Sequence, residues 1–354
     1  MGQLPPKTGV RVTYTNTLLV DGNALFKVGY FGAKDQYNHR GEHIGGVYQF
    51  LTILRKVLES DLYHRVYVFW DGNFSGKLRH EFYEPYKGNR NKDFVNGTHP
   101  IDENELRERK IIKVYLNELS IRQLEDQMVE GDDLIAYYCS IRKPDEKISI
   151  VTNDRDMSQL LNEYTRIYFC DLKQYVTTSN YNDFFKHHQE NIGLIKTITG
   201  DSSDNIKGIK GVKEKTLLTL FPELKQRKVS LEELLILAEK LQSERVSMKK
   251  KPLKTLQNIL ECNTEGVQGK SMYIINDKLV NLYKPLITEE AIEKLMILRE
   301  GEFETFDTSF KNVLEFMRID GMREAIGRER YGEYLLPFKR LLEREFNNQK
   351  LTNK

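Results

Sequence analysis

Cysteine is scarce in this chain: three residues, Cys139, Cys170 and Cys262, in a total of 354. Spacing that wide suits neither a zinc site nor a disulfide framework. The thiols read as reduced core residues, and an intracellular, cytoplasmic protein is expected. No apolar run approaches the roughly 20 residues of a membrane span, so no membrane partner is expected. The opening MGQLPPKTGVR has no apolar signal core. There is no internal repeat and no low-complexity tract. Charge of one sign is missing too, since the net value is only +2. What remains, 39% hydrophobic and 30% charged residues, describes a globular chain, expected as a monomer, with one large or two medium domains.

The feature that organises the rest is Val129-Glu130-Gly131-Asp132-Asp133-Leu134-Ile135-Ala136. Its carboxylates open a run of good helix formers, where they suit the macrodipole, and Glu130 and Asp133 share a face. Alone, this is an ordinary acidic helix start. Other acids give it weight. Thr17–Val20 reads as a buried strand ending in Asp21-Gly22-Asn23, and Val66–Trp70 as a second ending in Asp71-Gly72. Ile148–Thr152 runs into Asn153-Asp154-Arg155-Asp156 and a short helix through Leu161, and Arg166–Cys170 is a fourth strand. Strands alternating with helices, among them one over 45–58 and one over 103–119, imply a mostly parallel sheet. Ligands bind such sheets at the strands' carboxyl ends.

Residues 24–43 mix aromatics with glycines and read as a packed or substrate-facing loop. Lys77 to Arg90 is basic and aromatic, as a phosphate-contacting segment should be. Residues 91–110 are polar and hold Gly97 and Pro100, so they are expected to be mobile. From 192 the character changes. A short helix leads to Gly200-Asp201-Ser-Ser-Asp204, then to a glycine turn with Lys207, Lys210, Lys213 and Lys215 and an apolar helix to Phe221. Turn glycines let backbone amides approach phosphates, and the second helix start favours an anion.

Nine acids stand at strand ends, on the central helix or in the turn: Asp21, Asp71, Glu130, Asp132, Asp133, Asp154, Asp156, Asp201 and Asp204. Setting these nine aside leaves 43 acidic against 54 basic residues, a basic body around an acidic pocket, which suits a nucleic-acid enzyme that holds cations. Like charges brought together need cations, and oxygen-only ligands select hard ions such as Mg²⁺ or Mn²⁺. Two such ions, with Lys87 and Arg90 nearby, suit phosphodiester hydrolysis.

In order, Leu18-Leu-Val-Asp-Gly22, Pro85-Tyr-Lys-Gly-Asn-Arg90, Glu130-Gly-Asp-Asp133, Thr152-Asn-Asp-Arg-Asp156 and Gly200-Asp-Ser-Ser-Asp204 resemble the motifs of the 5′-nuclease, or flap endonuclease, superfamily. The match covers about residues 17–290. With no polymerase domain and a long C-terminal extension, the chain looks most like the stand-alone bacteriophage ribonuclease H or flap endonuclease branch. The resemblance implies an α/β, PIN-like catalytic domain over 1–191, with a helical arch at about 91–115 for the single-stranded 5′ end. A helical domain with a helix–three-turn–helix (H3TH) module would follow over 192–290, then a helical extension over 291–354. That extension either packs on the core or binds a partner such as a polymerase, a clamp or single-strand-binding protein.

By the same resemblance, Asp21, Asp71, Glu130 and Asp132 would serve a first metal. Asp154, Asp156, Asp201 and Asp204 would serve a second, with Asp133 bound through water. Tyr86, Lys87 and Arg90 would form the basic gateway at the foot of the arch. Nucleic acid would meet Lys77 and Arg79, and Lys207, Gly208, Lys210, Gly211, Lys213, Lys215 and Thr216 in the turn. That turn departs from the family's Gly-Ile-Pro-Gly-Ile-Gly: Lys210 and Lys213 replace proline and the last glycine. The change counts against a K⁺ ion there and suggests more reliance on side-chain charge. The expected substrates are 5′-flap, nicked or forked DNA and RNA–DNA hybrid, in replication and repair. Two other readings are a catalytically silent branched-DNA binder, against which every expected carboxylate is present, and a phosphatase whose Asp-x-Asp is spoiled by Asn23.

Overall fold

The computed structural model describes residues 14–90, 102–264, 269–300 and 310–352. Six strands form its main sheet: β1 (Thr15–Asp21), β2 (Arg65–Asp71), β3 (Arg122–Asp126), β4 (Glu146–Thr152), β5 (Thr165–Phe169) and β6 (Gln174–Val176), in the order β3-β2-β1-β4-β5-β6. The first five are parallel and β6 is antiparallel. The apolar runs predicted as strands are the four innermost. Leu18 and Val20 of β1 face one core and Leu19 the opposite one, as expected of a strand covered on both sides. Strand order reverses between β1 and β4, so the carboxyl ends of those strands frame the switch-point crevice.

The edge strand β3 went unpredicted because Arg122-Gln-Leu-Glu-Asp126 has little apolar content. The loop expected over 24–43 is also corrected. Nearly half of it, residues 24–32, belongs to a helix, α1 (Gly22–Gly32). The glycines that suggested a loop serve close packing: a Cβ on Gly22 would meet the Trp70 ring at 2.6 Å, and one on Gly29 would meet the backbone of Gly46 at 3.1 Å.

On one face of the sheet lie α1, α2 (Gly45–Ser60) and, beyond the short α3 (Lys77–Phe82), α4 (Glu103–Glu118). Of the stretch 91–110 that is expected to be mobile, residues 102–110 are described, as the capped start of α4. Asp102 caps α4 by accepting from Glu105 N at 2.8 Å and takes the Tyr30 hydroxyl at 2.8 Å. Glu108 is fully buried, accepting from Val47 N at 2.9 Å and pairing with His43. Those bonds tie the start of α4 to α1 and α2; residues 91–101 lie outside the described residues.

The opposite face carries α5 (Gly131–Ser140), a 3₁₀ segment at Arg155–Leu160 and a helix at Glu289–Glu300. A third core belongs to the helical module after residue 191, which holds α6 (Ile192–Thr199) and α7 (Glu214–Leu220) and also claims Tyr83 and Tyr86. The last described segments pack on the first face. Val313, Met317, Leu335 and Phe338 join its core, and the Tyr115 hydroxyl donates to Asp320 at 2.6 Å.

Candidate active site

Strand geometry delivers three acids to one edge of the sheet. Asp21 closes β1, Asp71 closes β2 and Asp154 follows β4. Asp21 also starts α1, accepting from Ala24 N and from the Thr152 hydroxyl, both at 2.9 Å. Asp71 accepts from Gly131 N at 2.7 Å, tying the end of β2 to the start of α5. Asp154 accepts from Asp156 N at 2.8 Å and so turns the chain into the 3₁₀ segment. Asp21 keeps partial exposure, but protein closely surrounds it. That desolvation, reinforced by the charges of Asp71 and Asp154, pushes its carboxyl up to about 7 against its two hydrogen bonds.

Glu130 occupies the N-cap position of α5, with Asp132 and Asp133 in the first turn. Carboxylate oxygens of these three lie within 4.8 Å of one another. Glu130 is held from three sides: Arg79 at 2.7 Å, the Tyr86 hydroxyl at 2.8 Å, and Lys87. Burial opposes its ionisation, yet Lys87 and Arg79 outweigh burial and keep it below the usual carboxylate range. Asp132 has no such cation. Burial and the charges of Asp133 and Glu130 push it well above that range, so it is the member of the trio most in need of one.

One assignment requires correction here. Arg79 is 3% exposed, donates to the Leu279 carbonyl at 3.0 Å and pairs with Glu130 and Asp133. A guanidinium spent on two buried carboxylates cannot reach nucleic acid. Asp133 is 0% exposed, with both oxygens engaged by Arg79 and one also accepting from Leu286 N at 3.0 Å. It lies beside Glu130 and Asp132 and helps to fix Arg79.

Asp156, Asp201 and Asp204 complete the group from the far side. Lys196 of α6 contacts Asp156 Oδ1 and hydrogen-bonds Asp201 at 2.6 Å. One ammonium thus serves two carboxylates. Desolvation, together with Asp154, raises Asp156 despite the ammonium beside it. Burial also works against Asp201, but Lys196 outweighs it and, with Ser203, holds this acid down at about 2. Asp204 pairs with Arg90, and the charges of both Glu130 and Asp201 bear on it. Lys196 escaped the sequence reading, although a lone charge in the apolar run Ile192-Gly-Leu-Ile-Lys-Thr-Ile-Thr199 was a legible signal.

The gateway segment is laced to the acidic turn. Lys87 N donates to the Asp204 carbonyl at 2.9 Å, Asn205 donates to the Pro85 carbonyl at 2.8 Å, and Arg90 donates to the Ser203 carbonyl at 3.1 Å. Lys87 is left-handed, at φ 52°, a strained conformation for a non-glycine residue that these bonds impose. They aim its ammonium at Glu130. Tyr86 is 2% exposed and anchors the segment in the helical module's core.

The nucleic-acid candidates in the turn form an outward ridge. Lys207, Lys210, Lys213 and Lys215 are exposed, and Thr216 is half-buried in the first turns of α7. Gly208 is obligatory, since a Cβ there would sit 2.0 Å from the Thr199 carbonyl group, whereas Gly211 adopts φ 77° in open space. Lys77, half-buried at the start of α3, stands apart from this ridge in the chain.

Eight carboxylates offering oxygen ligands only, among them a half-buried Asp132 that forms no ion pair with the described cations, fit hard divalent ions. Among the described residues no helix is long and apolar enough to cross a membrane.

Comparison with known proteins agrees with this geometry. Residues 16–189 match the family model described as the 5′-3′ exonuclease, N-terminal resolvase-like domain. Thermostable DNA polymerase I of Thermus thermophilus is 32% identical over 233 residues, 66% of this chain; the chain spans only 26% of that polymerase's length. A 5′-3′ exonuclease of Mycoplasmopsis pulmonis is 27% identical over 285 residues, covering 78% of this chain and 89% of the relative. The 5′-exonuclease of bacteriophage T5, solved with divalent zinc ions bound, superposes with a TM-score of 0.59 at 17% identity over 86% of this chain and 97% of that one. At that identity the likeness speaks for the fold. By its motifs, its family-model match and its fold, the chain belongs to the 5′-nuclease superfamily.

Proposed function

We propose that this chain is a structure-specific 5′ nuclease that uses Mg²⁺, or Mn²⁺ in its place, to hydrolyse phosphodiesters. Its substrates would be 5′-flap, nicked or forked DNA and RNA–DNA hybrid, as in primer removal during replication and repair. The observation that carries this reading is the convergence of acids from three strand ends, the start of α5 and the glycine turn on a crevice that also holds Lys87. Asp21, Asp71, Glu130 and Asp132 would hold one ion, and Asp154, Asp156, Asp201 and Asp204 the other. When bound, two such ions supply a polarised water for attack and neutralise charge on the leaving oxygen.

The chain's own groups do the rest. The Lys87 ammonium faces the crevice as a point charge for the phosphate under attack, and transition-state charge there is the greater. Tyr86 and Arg79 fix the Glu130 carboxylate so that it need not reorganise. Arg90 secures Asp204. Lys207, Lys210, Lys213 and Lys215 would meet duplex phosphates without reading bases. The deciding experiment incubates 5′-labelled flap, nicked and RNA–DNA hybrid substrates with the full chain, with and without Mg²⁺. Cleavage near the branch that depends on the ion is expected. Tight binding of all three substrates with no cleavage in Mg²⁺ or Mn²⁺ would leave a silent branched-DNA binder instead.

A further inference from the structure

Each cationic partner around the acidic crevice has a different kind of hold. Arg79 is buried and shared between Glu130 and Asp133, and Lys87 is pinned by a backbone bond to Asp204. Lys196 differs. Its side chain is 25% exposed and its two partners, Asp156 and Asp201, are 17% and 11% exposed. It rises from α6, whose Ile192, Ile195 and Ile198 are buried. The helix therefore fixes the base of the side chain and leaves the ammonium on a flexible four-carbon stem. No other cation among the described residues pairs with either carboxylate.

We infer that Lys196 is an internal competitor for divalent cations: its ammonium shares Asp156 and Asp201 with any ion bound there, must swing out to admit one, and so weakens that half of the crevice selectively. This rests on reading Asp156 and Asp201 as metal ligands. The geometry favours competition over a simple brace. A brace would be buried and held fast as Arg79 is, whereas the Lys196 side chain is 25% exposed on a flexible stem between two carboxylates. An ion seated between Asp156 and Asp201 would occupy the place the ammonium now holds, so the two cannot be there together. The swinging stem also offers the displaced ammonium a new role, since a charge expelled toward solvent at the crevice mouth meets the backbone of an arriving nucleic acid.

The test titrates Mn²⁺ into the full chain, with free ion read by electron paramagnetic resonance and heat by calorimetry, and no substrate present. Lys196→Met keeps the stem and removes the charge, and Lys196→Gln serves as a second variant should the first fold poorly. Losing an ion-paired hydrogen-bond competitor should tighten one of the sites by roughly 10- to 100-fold, with the other unchanged. Unchanged or weaker Mn²⁺ binding in both variants overturns the inference: unchanged affinity makes Lys196 a substrate contact, and weaker affinity makes it a brace. Asp156→Asn separates this from the underlying reading. If Asp156→Asn leaves Mn²⁺ binding intact, the ligand assignment itself fails. If it removes a site while the Lys196 variants match the parent, only the role of Lys196 fails.

Discussion

The two ends of the acidic crevice contain the same residue types in opposite states. At the α5 end, Glu130 and Asp133 are satisfied by Arg79, Tyr86 and Lys87 before anything binds. At the β4–α6 end, Asp154 is exposed and one partly exposed lysine serves both Asp156 and Asp201. A buried, fully paired carboxylate is a fixed strut. A partly desolvated, half-paired one is a reactive group whose state depends on what arrives. The first end is built to hold geometry and the second to respond.

The sharpest break in that comparison comes at the responsive end. Asp156→Asn should reduce cleavage below detection while leaving DNA binding in place or tighter, because a negative charge leaves the crevice. A single-turnover assay beside a binding titration reads both, and full Mg²⁺-dependent cleavage would remove Asp156 from the ligand set. Lys87 probes the fixed end. Lys87→Ala should slow single-turnover cleavage by roughly 10²–10³-fold, the range for loss of one such charge-stabilising donor. Affinity should change little, as for an interaction made mainly in the transition state. Weaker binding with an unchanged rate of the bound complex would make Lys87 a positioning contact only.

Much of this organisation was legible, and the limits were physical. Strands β1, β2 and β4 declare themselves because both of their faces are largely buried and their apolar runs are continuous, and β5 by its alternation of buried and half-buried residues. Asp21, Asp71 and Asp154 declare themselves by ending or following those runs. Strand β3 does not, since an edge strand of Arg, Gln, Leu, Glu and Asp obeys no hydrophobic rule. Arg79 was misassigned for a related reason. A local reading sees basic residues in an exposed-looking segment, and its partners Glu130 and Asp133 lie 51 and 54 residues away. In the same way, the glycines of α1 are explained by Trp70 and α2, which only tertiary structure brings near.

Arg79 therefore predicts a stability effect where a DNA-contact reading predicts a binding effect. Removing one partner of a buried pair strands the other charge, at a cost of about 3–5 kcal/mol. Arg79→Ala should lower the denaturant midpoint accordingly, while the fraction that remains folded binds duplex with an unchanged salt slope. A smaller salt slope at full stability would return Arg79 to the DNA surface. Asp21 gives a milder, pH-dependent effect. Its folded carboxyl sits at about 7 against 3.8 for the ordinary group. The folded chain thus binds an extra proton between these values, and chelator-treated protein gains stability as pH falls from about 7 toward 4. Asp21→Asn keeps an acceptor for Ala24 N and removes the charge. It should melt several degrees above the parent at pH 8, by a smaller margin at pH 5, and level with it only near pH 4 and below; equal melting at pH 8 would mean that Asp21 carries no desolvation penalty.

The smallest effect belongs to the surface that sets crevice and body apart. Lys213 and Lys215 are exposed at the start of α7, so their removal strands no buried charge and should leave stability within about 0.5 kcal/mol. If they meet duplex phosphates, each phosphate left without its lysine lowers the slope of log affinity against log salt by roughly one unit, because one fewer counterion is released. Affinity should fall equally for unrelated sequences, since phosphates carry no base information. Gly208 makes a useful contrast. Any side chain there collides with the Thr199 backbone, so Gly208→Ala should weaken binding by deforming the turn, with a loss of stability that the lysine variants lack. Binding isotherms for Lys213→Ala and Lys215→Ala at four salt concentrations, on two duplexes of different sequence, settle the matter. Parallel lines of reduced slope place these lysines on the duplex, and lines of unchanged slope place the duplex elsewhere.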